Sequence, residues 1–416
     1  MPRITIGRSW ARRGRQVEIR GNMNDFPSTP PTPSSASSSS LEASSPDDSE
    51  LIERVRLALV PGIGPRLAQA LLTRFGSATA IFSASRDELC LVEGIGAKLS
   101  ALIQTGRREI DALEEVELAR RSGITLLARE RPQYPHTLLE IFDPPSVLYV
   151  RGDLLPEDSL SIAIVGSRHA TQYGLQLAER FAASLARAGF TIVSGLARGI
   201  DAAAHRGALG AGGRTLAVLG SGLLQIYPPE HRDLAADVAR GGAVISELPL
   251  RVKPLAGTFP QRNRIISGLS LGVLVIEASV QSGALITADF ALELGRPVLA
   301  VPGWPGAVAS EGCNALLRAG AALLEGVEDI RAEMPGAAWR ESAAARPVEL
   351  DGLAGRIHAR LAREPMDADR LGQELGEDPA AVAGALALLE VEGVVVRGDG
   401  RRFWAAPGGR RAVSRT

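Results

Sequence analysis

Cysteine is nearly absent from this 416-residue chain, which has only Cys90 and Cys313. So far apart, the two cannot build the disulfide framework of a small secreted protein, and nothing points to an oxidising compartment. No apolar run approaches the ~20 residues that a membrane-spanning helix requires. The opening twenty residues are rich in arginine but lack the apolar stretch of a secretory signal. A soluble cytoplasmic protein is the default expectation. Familiar catalytic signatures are missing as well: there is no Walker A sequence, no HExxH and no Cys/His cluster at zinc spacing. No metal and no cofactor is expected. Aromatic residues make up 4% of the chain, and lysine is reduced to Lys98 and Lys253 beside 44 arginines.

What is present is apolar, glycine-rich and balanced in charge. With 45% apolar residues a sizeable core is possible, and the net charge of −1 does not announce a nucleic-acid binder. At about 100–200 residues per domain, the length predicts two to four domains. The bias toward arginine fits a codon preference that also enriches alanine and glycine. Its planar fork nevertheless suits phosphate. Between residues 161 and 322 there are 14 basic and 10 acidic residues, so the middle of the chain is positive and the rest negative. That asymmetry favours the middle as the site for an anionic ligand.

The chain reads as a series of segments. Residues 1–50 are expected to be a disordered leader, because positions 27–49 hold ten serines and five prolines with little to bury. Residues 51–122 read as a compact helical domain. Two similar runs, Val60-Pro61-Gly62-Ile63-Gly64 and Val92-Glu93-Gly94-Ile95-Gly96, each precede apolar residues at helical spacing. This is the pattern of a paired helix-hairpin-helix, or SAM-like, module. Its glycines allow a tight turn, and the next helix can then offer N–H groups to a DNA phosphate. The same turn also serves helical bundles that bind nothing.

Residues 123–333 form the largest unit. Short Val- and Ile-rich runs at 161–166, 190–194, 215–219, 243–246, 273–277, 297–301 and 321–324 alternate with helical stretches at 174–188, 200–209, 231–240, 262–267, 284–294 and 312–319. The fold class that follows is α/β, a Rossmann-like doubly wound and mostly parallel sheet with helices on both faces. Residues 334–350 read as a linker and 351–408 as a winged-helix domain, with a tail at 409–416. In that domain, helices at 357–362, 368–375 and 379–392 precede a hairpin turned by Gly398-Asp399-Gly400. The helix at 379–392 carries no Lys or Arg, which argues for a structural or protein-contact role over groove reading.

In an open parallel sheet, ligands bind at the carboxyl ends of the strands. Those ends here carry Gly166-Ser167-Arg168, then Gly195-Leu196-Ala197-Arg198, and Ser282-Gly283 with Thr287, while Arg262-Asn263-Arg264 precede the strand at 273–277. Small residues admit a ligand to backbone N–H groups, and the arginines supply forks for phosphate. Arg262 and Arg264 have a second reading, as partners of carboxylates inside the domain. Glu247 and Glu277 end strands and are suited to anchor arginines. A dinucleotide fits poorly, because Gly220-Ser221-Gly222 has Gln225 where a third glycine belongs. Asp201 and His205, four residues apart, suggest a shared helix face, with a surface hydrogen bond favoured over acid/base chemistry. Tyr173, Tyr227, Phe259 and Trp304 lie in or beside these loops, where a base could stack.

Taken in order, Val165-Gly166-Ser167-Arg168, Ser194-Gly195-Leu196-Ala197-Arg198-Gly199-Ile200-Asp201, Tyr227-Pro228, Phe259-Pro260-Gln261-Arg262-Asn263-Arg264 and Ser282-Gly283-Ala284-Leu285-Ile286-Thr287 closely resemble the DprA (Smf) family of DNA-processing proteins. The resemblance implies binding of incoming single-stranded DNA in natural transformation, its protection, and loading of the recombinase RecA with help in displacing single-strand-binding protein. It also implies a homodimer through the Rossmann-like domain, no membrane association and no catalytic activity. Arg168 matches a basic residue of the family's DNA pocket, and Gly195 and Arg198 lie in the adjoining loop. Members often carry a lysine just after the Tyr-Pro pair. Here Pro229-Glu230-His231-Arg232 follows, so Arg232 is the candidate substitute at a shifted position. The alternative is an enzyme, a nucleotide phosphoribohydrolase of the lysine-decarboxylase-like Rossmann group. Its Pro-Gly-Gly-x-Gly-Thr loop is missing from this sequence.

Overall fold

A computed structural model describes residues 46–334, 337, 350, 352–391, 394–397 and 402–405. The chain divides into two units between residues 338 and 339. Of the expected leader, residues 1–45 lie outside the described residues, while 46–50 already form the first turn of a helix.

Among the described residues, six helices open the first unit: α1 (Pro46–Leu59), α2 (Pro65–Phe75), α3 (Ala78–Ser83), α4 (Arg86–Cys90), α5 (Ala97–Glu109) and α6 (Ala112–Arg121). The two Gly-Ile-Gly runs are the turns into α2 and α5, with Gly64 and Gly96 as their N-caps. The hairpins pack reciprocally. A methyl group added at Gly62 would touch Leu99 of the second hairpin, and one added at Gly94 would press on Leu67 of the first. Leu71, Ile81, Leu89, Ile95 and Ile103 fill the shared core. Helix α1 serves two cores. Leu57 and Val60 face the hairpins, whereas Val55 joins Ala112 and Ala119 of α6 against the sheet that follows. The expected border at 122 therefore does not separate two cores. Glu115 of α6 accepts the Leu250 N–H at 2.7 Å, and Arg54 of α1 reaches Glu130 at 2.9 Å.

The sheet has nine strands: β1 (Thr125–Ala128), β2 (Val147–Gly152), β3 (Ser161–Gly166), β4 (Thr191–Ser194), β5 (Thr215–Val218), β6 (Ala243–Ser246), β7 (Val273–Ile276), β8 (Val298–Ala300) and β9 (Ala322–Leu323). Their order is β1-β2-β6-β5-β4-β3-β7-β8-β9. From β6 to β9 all neighbours are parallel, and β1 and β2 add an antiparallel edge. The mostly parallel expectation holds. These two antiparallel strands were not read from the sequence, because neither follows the strand–helix–strand rhythm that revealed the others.

Among the described residues, eight further α-helices complete this unit: α7 (His136–Leu139), α8 (Gln172–Arg187), α9 (Ile200–Gly210), α10 (Arg232–Gly241), α11 (Thr258–Leu269), α12 (Gly283–Glu293), α13 (Glu311–Arg318) and α14 (Val327–Glu333). Alternate strand residues face opposite ways, so the two layers can be read residue by residue. Leu148, Val150, Val165, Val218 and Val275 meet Leu138 of α7, Ile265 of α11, Ala288 of α12 and Cys313 of α13. Val147, Tyr149, Ala217 and Val244 meet α1, α6, α9 and α10. After β3 the chain steps outward through β4, β5 and β6, then returns to place β7 on the other side of β3. The carboxyl ends of β3 and β7 thus form a topological switch point, where adjacent loops leave in opposite directions and open a crevice.

The second unit contains α15 (Gly352–Leu361), β10 (Met366–Asp367), α16 (Ala368–Leu375), α17 (Pro379–Val391), β11 (Val395–Arg397) and β12 (Arg402–Ala405), with strand order β10-β12-β11. Ile357, Leu371, Val382, Leu386 and Phe403 are buried together, giving a winged helix. Gly398-Asp399-Gly400 lies outside the described residues, as does the tail at 409–416. The ends of the expected linker belong to the flanking cores, since Met334 fits against Gly272 and Leu350 joins the winged-helix core. Most of the residues between them are outside the described set.

Candidate functional site

The crevice at the switch point is a cavity of about 640 Å³. Gly166 at the end of β3 and Ser167 and Arg168 after it line one side, and Ser279, Gln281 and Ser282 before α12 and Gly283 at its start line another. Phe259, Pro260, Arg262 and Asn263 of α11 close it, with Thr287 of α12 beneath. A smaller adjoining hollow is lined by Arg168, Gly195, Ala197, Arg198, Tyr227, Pro228 and Phe259.

The rim is fixed by a set of interlocking bonds. Asp201, in the first turn of α9, accepts the N–H groups of Gly195 at 3.1 Å and Ala197 at 3.3 Å. Arg262 donates to the carbonyl oxygen of the same Gly195 at 2.8 Å, and to that of Val218. Gly195 is therefore held by an acid on its N–H and a base on its carbonyl. A Cβ there would lie 2.5 Å from the Arg262 guanidinium, so a larger residue would have to displace that buried, hydrogen-bonded group. Between these anchors Leu196 takes φ of +58°, and across the crevice Glu277 takes φ of +49°. Side chains other than glycine adopt that region at a cost of about 1–3 kcal/mol, so the surroundings must over-determine it. Glu277 achieves this by accepting both the N–H (2.8 Å) and the hydroxyl of Thr171, which caps α8.

Burial governs the charges below the rim. Arg262 is only 4% exposed. Desolvation lowers its pKa to about 10, despite the attraction of nearby Asp201. Burial likewise raises Asp201, against the pull of Arg262 and two N–H donors. Arg168 stands apart. It is exposed, has no carboxylate within ion-pair distance among the described residues, and its guanidinium lies 5.3 Å from the Phe259 ring centre. The Phe259 ring in turn meets that of Tyr227 at 5.6 Å. An exposed cation and a tilted ring pair together give phosphate-directed charge beside a π-surface.

Of the candidate residues, the structure brings Gly166, Ser167, Arg168, Arg262, Asn263, Ser282, Gly283 and Thr287 to the main cavity and Gly195 and Arg198 to its neighbour. Two are placed elsewhere. Arg264 turns inward, at 2.8 Å from Asp143 and 2.6 Å from Glu247. It takes the carboxylate-pairing reading, because its position on α11 points at those acids. Arg232 is exposed at the start of α10 and lines neither cavity. Glu230, two residues earlier, pairs with Arg198 at 2.5 Å.

Other readings are corrected in detail. Asp201 and His205 share α9 but are buried and bond to different partners. The Thr215 hydroxyl donates to the Ile192 carbonyl at 2.7 Å, so the His205 Nδ1–H donates to Thr215, leaving Nε2 buried without a partner. Desolvation drives the His205 pKa down to about 3. A neutral, enclosed imidazole of this kind packs and does not exchange protons with a ligand. Glu247 anchors an arginine as expected, whereas Glu277 anchors a helix start. Tyr227 and Phe259 reach the cavity, but Tyr173 and Trp304 do not line it. His169 lines it too, at the strand end read from the sequence, whereas Pro254 and Ala256 also line it and were not read from sequence.

No helix among the described residues is long and apolar enough to cross a membrane. Residues 125–335 match the family described as DNA recombination-mediator protein A, residues 55–109 a SAM-like helix-hairpin-helix tandem, and residues 341–401 a DprA winged-helix domain. The chain is 34% identical over 381 residues to the protein Smf of Synechocystis sp., an alignment covering 83% of this chain and 96% of that relative. It is 39% identical over 275 residues to the DNA processing protein DprA of Bacillus subtilis, covering 66% and 93%. The crystal structure of DNA processing protein A from Streptococcus pneumoniae superposes with a TM-score of 0.60 at 33% identity, covering 68% of this chain and 96% of that one. The chain therefore belongs to the DprA/Smf family of DNA recombination-mediator proteins.

Proposed function

We propose that the switch-point crevice grips the sugar–phosphate backbone of single-stranded DNA without regard to sequence and performs no reaction on it. The observation that carries this reading is Arg168, an exposed guanidinium at the rim with an aromatic face as its neighbour and no carboxylate within ion-pair distance among the described residues. Sequence-independent binding needs phosphate-directed donors and room for bases, and it needs no reading of base edges. The volume, the small residues at the strand ends and the ring pair of Phe259 and Tyr227 supply that room. Membership of a recombination-mediator family supports the further steps: the bound strand is protected, handed to RecA as single-strand-binding protein is displaced, and held by a homodimer in the cytoplasm.

Titration of a labelled oligothymidylate at several salt concentrations tests the grip. Each phosphate neutralised on a single strand contributes about −0.7 to the slope of log affinity against log salt. Arg168→Ala is expected to weaken binding and flatten the slope by about that amount. Unchanged affinity and slope would remove Arg168 from the site. A strand-exchange assay with RecA, single-strand-binding protein and this protein tests the hand-over: faster filament nucleation is expected, and binding without acceleration would leave protection alone.

A further inference from the structure

The Arg198–Glu230 pair stands at the edge of the crevice and has no part in the grip at Arg168. Both side chains are about half exposed, 51% and 50%, and they lie 2.5 Å apart. Arg198 comes from the loop after β4, and Glu230 from the short turn Pro229–His231 that leads into α10. Arg198 shares the smaller hollow with Arg168, Tyr227 and Phe259. The rim thus runs from a free cation, across two rings, to a second cation already engaged by an acid. A strand lying along the rim meets Arg168 first and Arg198 next.

We propose that Glu230 is an acidic gate on Arg198, a specificity-determining residue that reserves this second cation for polymeric anions. The inference rests on the single-strand reading of the crevice. Glu230 and an incoming phosphate compete for Arg198. Glu230 is held beside Arg198 by the fold and so acts at a high effective concentration, millimolar or above for groups joined at close range. A free phosphate or a mononucleotide has to win Arg198 from bulk solution and is at a disadvantage. A phosphate on a strand already anchored at Arg168 is tethered too, and it competes on equal terms. Exposed ion pairs are held weakly, by a factor of about two to five, so a tethered phosphate suffices to open the gate. Glu230 is ionised throughout the neutral range, because its own backbone N–H and then Arg198 hold its carboxyl below the usual value.

The test is a titration of fluorescent oligothymidylate, long enough to span both arginines, against the full-length protein and its Glu230→Gln, Arg198→Ala, doubly substituted and Arg168→Ala forms across a salt series. Glu230→Gln is expected to bind about two- to fivefold more tightly at low salt. Its salt slope should be steeper, because the competing ion pair is itself screened as salt rises. The gain should vanish when Arg198 is also alanine. Thymidine monophosphate should compete more effectively against Glu230→Gln than against the unaltered protein. A gain that persists without Arg198 would mean a general charge effect and overturn the gate, as would no gain at all. If the unaltered protein does not hold the strand, or Arg168→Ala leaves binding intact, the reading of the crevice falls and the gate with it. If Arg168→Ala weakens binding while Glu230→Gln changes nothing, the gate alone falls.

Discussion

At the crevice, Arg168 lies over the Phe259 ring with no carboxylate within ion-pair distance among the described residues. In the winged unit, Arg370 reaches Glu364 at 2.7 Å and Glu374 at 3.0 Å, Arg360 reaches the same two glutamates, and Arg356 pairs with Glu377. The two regions use the same side chain under opposite boundary conditions. An arginine whose fork is filled by carboxylates presents little positive potential, and a phosphate must displace those acids before it can bind. A helix with an exposed surface of Ala381, Ala383, Gly384, Ala387 and Leu388 adds no cation to the winged unit. Arginine number therefore says little about nucleic-acid contact. What matters is which arginines keep their donors free, and this depends on acids that are distant in sequence.

The largest expected effect comes from an arginine of the first region that resembles those of the second. Burial alone would make Arg264 easier to deprotonate, but Glu247 and Asp143 outweigh it and hold the guanidinium charged. Arg264→Ala would leave two carboxylates poorly compensated around a side chain only 8% exposed. Breaking a buried pair in this way destabilises by about 3–5 kcal/mol. Urea unfolding should show that loss, and the fraction still folded should bind single strands as before. Normal stability with lost binding would move Arg264 from the interior to the ligand.

A smaller effect separates the enclosed base of α9 from the open rim. His205 titrates near 6.5 when unfolded and at about 3 when folded, so between those values the unfolded state holds the extra proton. Stability is then full above pH 6.5 and falls as the pH drops, by about 2 kcal/mol at pH 5. The raised pKa of Asp201 acts in the opposite sense, since its folded form takes up a proton more readily on acidification. Unfolding of His205→Gln at pH 7 and pH 5 should show a smaller acid loss than the unaltered chain. Equal losses would place the acid sensitivity elsewhere.

How much of this could be read from the sequence follows from the range of the forces involved. The seven parallel strands were legible because each repeats a local pattern, an apolar run followed by a helix. β1 and β2 lacked that rhythm. Their partners are set by long-range pairing, with Tyr149 opposite Ser246 in β6. At the site, glycines and small residues at strand ends marked the crevice, and the order of motifs marked the family. The fate of individual arginines was not legible. Arg262 and Arg264 are two residues apart on one helix, yet one lines the cavity floor beside Asp201 and the other is turned toward Asp143 and Glu247. Only the packed structure supplies those partners. The same holds for Glu230, whose effect on Arg198 depends on two loops meeting.

The smallest expected effect tests the other side of the comparison. Arg370 is 53% exposed and shares Glu364 and Glu374 with Arg360. When Arg370→Ala removes one fork, Arg360 remains to neutralise both acids, so neither is stranded. Exposed pairs of this kind are worth about 0.2–1 kcal/mol, and redundancy places this one toward the lower end. Unfolding should shift by no more than that, and the salt slope for single-strand binding should not move. If instead Arg370→Ala flattened the slope by about 0.7, the winged unit would be in contact with a phosphate. Arginines already paired with acids would then have to be counted among the DNA contacts, and the distinction between free and occupied forks would fail at the point where it is most exposed to test.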